Sequence, residues 1–139
     1  MLKKRIKTSQ SKKGKKFPSK ERIQPDKNKT HVNVSSKRDI IVLFGQSNSA
    51  NSVLSNKYSK SKHLNYFNKK FYSLSNPVLG ADGDKDSVAP AIAAKLKSKK
   101  PYIFLTNGWG GTSIYDWSHP ESMLVKYVKK NLKDLLKIH

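Results

Sequence analysis

Five apolar residues in a row, at 40–44, run straight into Gly45-Gln46-Ser47-Asn48, and no other stretch limits so tightly what the chain can fold into. A continuous apolar run of this length, β-branched at its start and closed by glycine, suits an interior strand of a parallel sheet covered on both faces. Loops just beyond the carboxyl ends of such strands are where open α/β sheets do their chemistry. The run therefore predicts a buried strand that presents Ser47 as a nucleophile or a ligand contact.

A second unit follows the same plan. Asp86 or Ser87 can N-cap a helix that tolerates Pro90 in its first turn and stacks Val88, Ile92 and Leu96 at i, i+4 and i+8. Lysines 95, 97, 99 and 100 suit the negative end of that helix, and Pro101 stops it. Residues 102–105, Tyr-Ile-Phe-Leu, then read as a second buried strand leading into a loop of small residues, Thr106-Asn107-Gly108-Trp109-Gly110-Gly111-Thr112-Ser113. From near Pro120 onward, Leu124, Val128, Leu132, Leu135 and Leu136 share one face of an amphipathic helix that must pack on a sheet or a partner. Strand, loop, helix, strand, loop, helix implies the α/β class, with a partial doubly wound parallel sheet and flanking helices. Between the two units, residues 49–62 read as a polar loop or weak helix. Residues 63–75 carry Tyr66, Phe67, Phe71 and Tyr72 among lysines, either a strand or an irregular cover over the site, with the aromatics better placed to cap a core than to stack on sugars or bases.

Composition divides the chain between Arg38 and Asp39. Residues 1–38 hold 14 lysines and arginines against two acids, and residues 39–139 hold 15 against seven, which accounts for the net charge of +20. Large apolar residues in the first segment are isolated ones such as Leu2, Ile6, Phe17 and Ile23, too few to offset the entropy of ordering, so residues 1–38 are expected to be a disordered lysine-rich tail. Such a tail is drawn to polyanions through counterion release, although charge runs are more often solvated linkers. One aromatic, Phe17, is too few for a sequence-specific nucleic-acid module. The remaining residues, 39–139, are enough for a small core but short for a doubly wound sheet with helices on both faces.

No run approaches the roughly 18 apolar residues of a membrane span, and the basic start lacks the apolar stretch of a signal peptide. The expectation is a chain without a transmembrane segment or cleaved leader, cytoplasmic by default. With no cysteine there is no disulfide framework and no thiolate metal site. His31, His63, His119 and His139 lack metal-ligand spacing. Asp82, Asp84 and Asp86 alternate like the start of a calcium loop, but the glycine is misplaced and no glutamate closes it. No metal or other cofactor is expected.

In a right-handed parallel arrangement both strand ends point the same way, so the Ser47 loop and the Gly110-Gly111 loop can meet above the sheet. A nucleophilic serine needs backbone N–H groups aimed at the oxygen that becomes negative in acyl transfer, and glycine lets the backbone come close enough to supply them. A phosphate or ligand loop would look similar, and two glycines also suit a plain strand-to-helix turn. The bare pattern leaves these readings open.

GQSN directly after an apolar strand resembles the first block of the SGNH (GDSL-like) hydrolases, in the branch that includes sialate O-acetylesterase-like and plant-type carbohydrate esterases. NPVLGADGDKDSVAPAIAAKL is similar to the segment before the second core helix of bacterial members, and GWGGTSIYDW resembles their Gly-Gly-Thr/Ser block ending in tryptophan. The resemblance runs from Asp39 to Trp117. It implies a flavodoxin-like SGNH fold, with Ser47 as nucleophile and its own N–H as one oxyanion donor. The second donor implied is Gly111 or, failing that, Gly110. Also implied is hydrolysis of O-acyl, especially acetyl, esters of carbohydrates through an acyl-serine intermediate.

This chain departs from the family's pattern at Lys85 and Asp86, where members usually have glycines, and at Ala89, where a tryptophan is common. The family would continue after the last helix with a strand, a Gln-Gly-Glu block and an Asp-x-x-His that supplies acid and base, and neither block follows Ile138-His139. Residues 39–139 are therefore expected to be the N-terminal part of such a domain. Alone it should be weakly active or inactive, because serine without a base is a poor nucleophile at neutral pH. A complementary C-terminal half is the implied partner. One literal Asp-x-x-His exists, Asp116-Trp117-Ser118-His119, either a substitute acid-base pair or a helix-capping turn with an exposed histidine. The competing expectation is a basic interaction protein, whose tail at residues 1–38 binds nucleic acid or anionic surfaces while the hydrolase-like part is a degenerate scaffold.

Overall fold

A computed structural model describes residues 31–54 and 61–139. Its centre is the second apolar run. Ile103–Gly108 forms a strand buried at all six positions, with Ile103 and Leu105 turned to one face of a sheet and Phe104 to the other. Around it lie His31–Val32 (β1), Ile40–Gly45 (β2), Leu64–Phe67 (β3) and Lys70–Ser73 (β4), so the central strand is β5. The sheet order is β1-β4-β3-β5-β2. β2 and β3 both run parallel to β5, while the β3–β4 and β1–β4 pairs are antiparallel. The architecture is α/β with a mixed five-stranded sheet.

Among the described residues three helices flank it: α1 (Ala89–Lys95), α2 (Ile114–Ser118) and α3 (Met123–Ile138). α3 lays Leu135 and Leu132 on the face made by Ile40, Val42, Leu64, Tyr66, Phe71, Ile103 and Leu105. α1 lays Ala89 and Ala93 on the opposite face, against Phe104, Leu74, Val78 and Ala81, with Ile41 and Leu43 beside them. The apolar run of β2 is continuous because both faces carry cover, as its sequence implies.

Its lateral position is not the interior one expected. Among the described residues β2 pairs with β5 alone, five of its six residues are half-buried, and Phe44 is 48% exposed. An unbroken apolar run reports cover on the two faces of a strand and says nothing about its two edges. β5 has β3 on one side and β2 on the other, whereas β2 ends the order among the described residues.

The aromatic segment is a hairpin. Asn68 and Lys69 connect β3 to β4 with φ of 46° and 63°, the pair of left-handed residues that a two-residue turn of matching twist requires. Tyr66, Phe67, Phe71 and Tyr72 are all buried, so they are core residues. β5 separates this hairpin from β2, which rules out a cover over the Ser47 loop. On its outer side, His31 and Val32 pair with Tyr72 and Phe71, and Val34 packs on the core. The last residues of the expected tail thus join the sheet. Residues 1–30 lie outside the described residues.

α1 starts later than the sequence suggests. Val88 is its N-cap, Pro90 sits in its first turn, and the Ser87 hydroxyl accepts the Ala89 N–H at 3.2 Å. Its buried face is Ala89, Pro90 and Ala93, with Leu96 half-buried, while Ile92 is exposed. The small residues turn inward because they let the helix backbone approach the sheet. The helix ends at Lys95, so only that lysine occupies its last turn. On α3, Leu124 and Leu135 are buried and Val128 and Leu132 half-buried, but Leu136 is 61% exposed and lies off the packed face.

His63, just before β3, is 2% exposed. Its Nδ1 accepts the Tyr102 N–H at 2.9 Å and its ring stacks on Tyr102. Burial, with the charge of Lys62 second, lowers its pKa below the ordinary 6.5, against an opposing backbone hydrogen bond at Ala93. The folded state therefore prefers the neutral ring, and the unfolded chain binds the proton more readily. Stability from this residue is complete above about pH 6.5 and declines as pH falls through the folded-state value. Urea unfolding should give a lower midpoint at pH 5 than at pH 7.5, and His63→Gln should flatten that difference. An equal acid loss in the variant would remove His63 as its source.

Candidate active site at the carboxyl edge

The parallel register of β2 and β5 sets Gly45 opposite Gly108, so the loops after the two strands leave the sheet side by side. After β2 the chain makes a single 3-10 turn, Ser47–Ser49, closed by Ser49 N–H to Gln46 C=O at 2.9 Å and Ala50 N–H to Ser47 C=O at 3.1 Å. Ser47 is exposed at the start of this turn. Ser49 points back, its hydroxyl donating to Phe44 C=O at 3.1 Å.

The two loops are tied to each other. Trp109 N–H donates to Gly45 C=O at 3.0 Å, and the Gln46 side-chain amide donates to Thr112 C=O. Gly108 lets the serine turn rest directly on β5, since a Cβ there would lie 2.1 Å from the Ser49 carbonyl oxygen. Beyond it, Trp109 is buried and meets Tyr127 edge-on at 5.4 Å. The buried Thr112 hydroxyl donates to Trp109 C=O at 2.7 Å and accepts the Trp117 indole N–H at 2.8 Å. Gly110 and Gly111 sit on top of this anchored turn, Gly111 with a φ of 70° that favours glycine. Among the described residues, no acceptor takes the backbone N–H of Ser47, Gly110 or Gly111.

A third loop closes the floor. Asn51 is buried and clamps Val78, donating to its C=O at 2.9 Å and accepting its N–H at 2.7 Å. Asn65 and Thr106 hold Leu79 in the same way, through 2.7 Å bonds to its N–H and C=O. Asn51 N–H then bonds Asp82 C=O, and Asp82 N–H bonds Gly108 C=O, each at 2.8 Å. This brings the Asp82 carboxylate up to Gly110, where an added Cβ would lie 3.8 Å from Oδ2. Asp82 Oδ1 accepts the neighbouring Gly83 N–H at 2.9 Å, an internal turn bond. Among the described residues, no group of three or more histidine or acidic side chains is placed to hold a metal ion.

Asp116 and His119 do not form a pair. Asp116 is buried and caps α2, its Oδ2 accepting the Ser113 N–H at 2.7 Å and the Ser113 hydroxyl at 3.0 Å. His119 Nδ1 accepts the Glu121 N–H at 3.2 Å. The segment is the helix-capping turn that the sequence also allowed, with His119 half-buried where an exposed ring was expected. His63 sits at the opposite edge of the sheet, and His139 bonds the Arg38 backbone there, 2.7 Å from its nitrogen and 2.9 Å from its oxygen. Among the described residues, no histidine bonds the Ser47 hydroxyl.

Sequence reasoning brought Ser47, Gly110 and Gly111 to one edge, and the structure places them there. It missed Gln46, Asn51 and Asp82. Their positions in polar loops are visible in the sequence, but Gln46 bonds a residue 66 positions away, Asn51 one 27 away, and Asp82 bonds Asn51 and Gly108, 31 and 26 away, which leaves no local signal. The chain matches no known family model and no curated protein. What the fold and the site define is an α/β domain with three loops converging at the carboxyl ends of β2 and β5, and an exposed serine at their meeting point. Among the described residues, no helix is long and apolar enough to cross a membrane.

Proposed function

We propose that this domain carries the serine half of an SGNH-like esterase site, in which Ser47 takes the acyl group of an O-acyl ester. The observation that supports this best is the joining of the Ser47 turn to the Gly110-Gly111 turn through Gln46, with backbone N–H groups on both sides that no acceptor among the described residues takes. Ser47 Oγ attacks the ester carbonyl carbon and gives up its proton. The carbonyl oxygen becomes negative and accepts the N–H groups of Ser47 and Gly111. Collapse expels the alcohol and leaves acyl-Ser47, which water then hydrolyses.

Gly111 is the better second donor. The Asp82 carboxylate beside Gly110 repels an anion at that glycine. Acetylated carbohydrate is the substrate class carried by the resemblance of GQSN and GWGGTSIYDW to the carbohydrate esterase branch.

With Asp116 engaged in capping and no histidine at Ser47, no base is seen at Ser47 among the described residues, and proton removal is assigned to water or to a complementary polypeptide. The outer edge of β2 supports the second course, because its backbone has no strand partner among the described residues and ends at the serine. A strand added there would deliver a base to the same edge. Alone, the chain should hydrolyse p-nitrophenyl acetate slowly above the buffer rate, and Ser47→Ala should return the rate to background. Equal rates in the two proteins would remove Ser47 from the reaction.

A further inference from the structure

We infer that the opposite, amino edge of the sheet holds a second site, a cationic groove that takes the phosphate backbone of a single-stranded nucleic acid with one base against Tyr102. The groove has a volume of about 400 Å³ and is lined by Lys37, Arg38, Asp39, Ser98, Lys100, Pro101 and Tyr102. Three of these side chains are cationic and one is acidic. Lys62 adds a further charge at the rim, its ammonium bonding the Ser98 carbonyl, and Lys97 and Lys99 flank that residue in the chain. A concave wall with an excess of one sign raises the local concentration of counter-charged ligands.

The walls are fixed. The Ser98 hydroxyl donates to Lys100 C=O at 2.6 Å, and His139 Nε2 lies against the Arg38 backbone. The Arg38 Nε is buried with no hydrogen-bond partner among the described residues. A buried guanidinium nitrogen lacking an acceptor is costly, and it marks Arg38 as a cation incompletely neutralised beside the groove. Tyr102 is held by its N–H bond to His63 and by ring stacking at 5.4 Å and 12°, so its ring is presented in one orientation.

Lysines that track a backbone beside an aromatic ring are the elements of single-strand binding, in which bases stack on aromatics without sequence preference. A bilayer would meet a flat face with apolar anchors, and none of the exposed large apolar side chains lines this groove. The site lies at the far end of β2 from Ser47, so it does not depend on the esterase reading.

The test is binding of fluorescein-labelled octathymidylate to the full chain, followed by anisotropy over a range of salt. Lys37→Gln with Lys100→Gln should weaken binding about tenfold or more at 0.1 M salt and reduce the log–log salt slope by about 1.4, for two lost phosphate contacts. Lys129→Gln with Lys133→Gln makes the same change in net charge on the exposed side of α3 and should leave the slope unchanged. Tyr102→Leu should weaken binding while keeping the slope, with circular dichroism verifying its fold. Equal losses in the two lysine pairs would overturn the site in favour of net charge alone. Loss confined to phosphatidylserine vesicles, with oligonucleotide binding intact, would overturn it in favour of a membrane surface.

Discussion

Gly108→Ala is expected to destabilise the domain by about 3 kcal/mol or more and to displace the Ser47 turn. A Cβ at this position would lie 2.1 Å from the Ser49 carbonyl oxygen and 2.4 Å from the Ala50 nitrogen. Both obstacles are backbone, so no rotamer change relieves them. β5 cannot yield either, because Gly108 is buried, paired with Gly45 of β2 and held through its C=O by the Asp82 N–H at 2.8 Å. The control is Gly110→Ala, whose new methyl carbon would meet nothing closer than the Asp82 carboxylate at 3.8 Å. Urea unfolding should show a large fall in midpoint for Gly108→Ala and a change within about 0.5 kcal/mol for Gly110→Ala. Matching midpoints would mean that the serine turn does not rest on β5 as described.

Asn51→Ala should cost about 3–5 kcal/mol, because it strips two buried backbone groups of Val78 of their partners at once. Asn51 is 1% exposed and Val78 fully buried, so water does not replace the lost bonds. Asn51→Asp keeps an acceptor for the Val78 N–H but loses the donor and buries a charge, and it should not rescue the fold. The loop held by this clamp carries Asp82, whose carbonyl accepts the Asn51 N–H, and Lys85, whose N–H donates to Asn51 C=O at 3.1 Å. Amide exchange at Val78 and Lys85 should therefore quicken in Asn51→Ala more than exchange in β5. Uniform acceleration across the domain would point to global loosening without a local clamp.

The parts of the fold that were legible in the sequence are those written in local pattern. The apolar runs of β2 and β5, the glycine-rich loops behind them and the leucine face of α3 each follow from residues close together in the chain. Lateral order does not. Nothing within residues 40–44 says that their strand lies at an edge, and nothing near Tyr66 says that its hairpin docks on the far side of β5, because both are decided by pairing between distant segments. α1 shows a subtler limit. Val88, Ile92 and Leu96 make the more apolar stripe, yet Ala89 and Ala93 are buried, since close approach to Phe104 favours small side chains over large ones. At the site, the serine and the two glycines were readable because backbone chemistry restricts what can follow a strand. Gln46 and Asn51 were not, because an amide that ties two loops together looks in sequence like any other polar loop residue.

Acyl transfer to Ser47 is the claim on which the esterase reading stands, and the site of acylation tests it most directly. The full chain, exposed briefly to p-nitrophenyl acetate near neutral pH, is digested and its acetylated peptides are located by mass spectrometry, before and after treatment with hydroxylamine. An ester on serine is cleaved by hydroxylamine and an amide on lysine is not. The expected result is a hydroxylamine-labile acetyl group on the peptide containing Ser47, absent from Ser47→Ala. Acetyl groups confined to lysines and stable to hydroxylamine would contradict it.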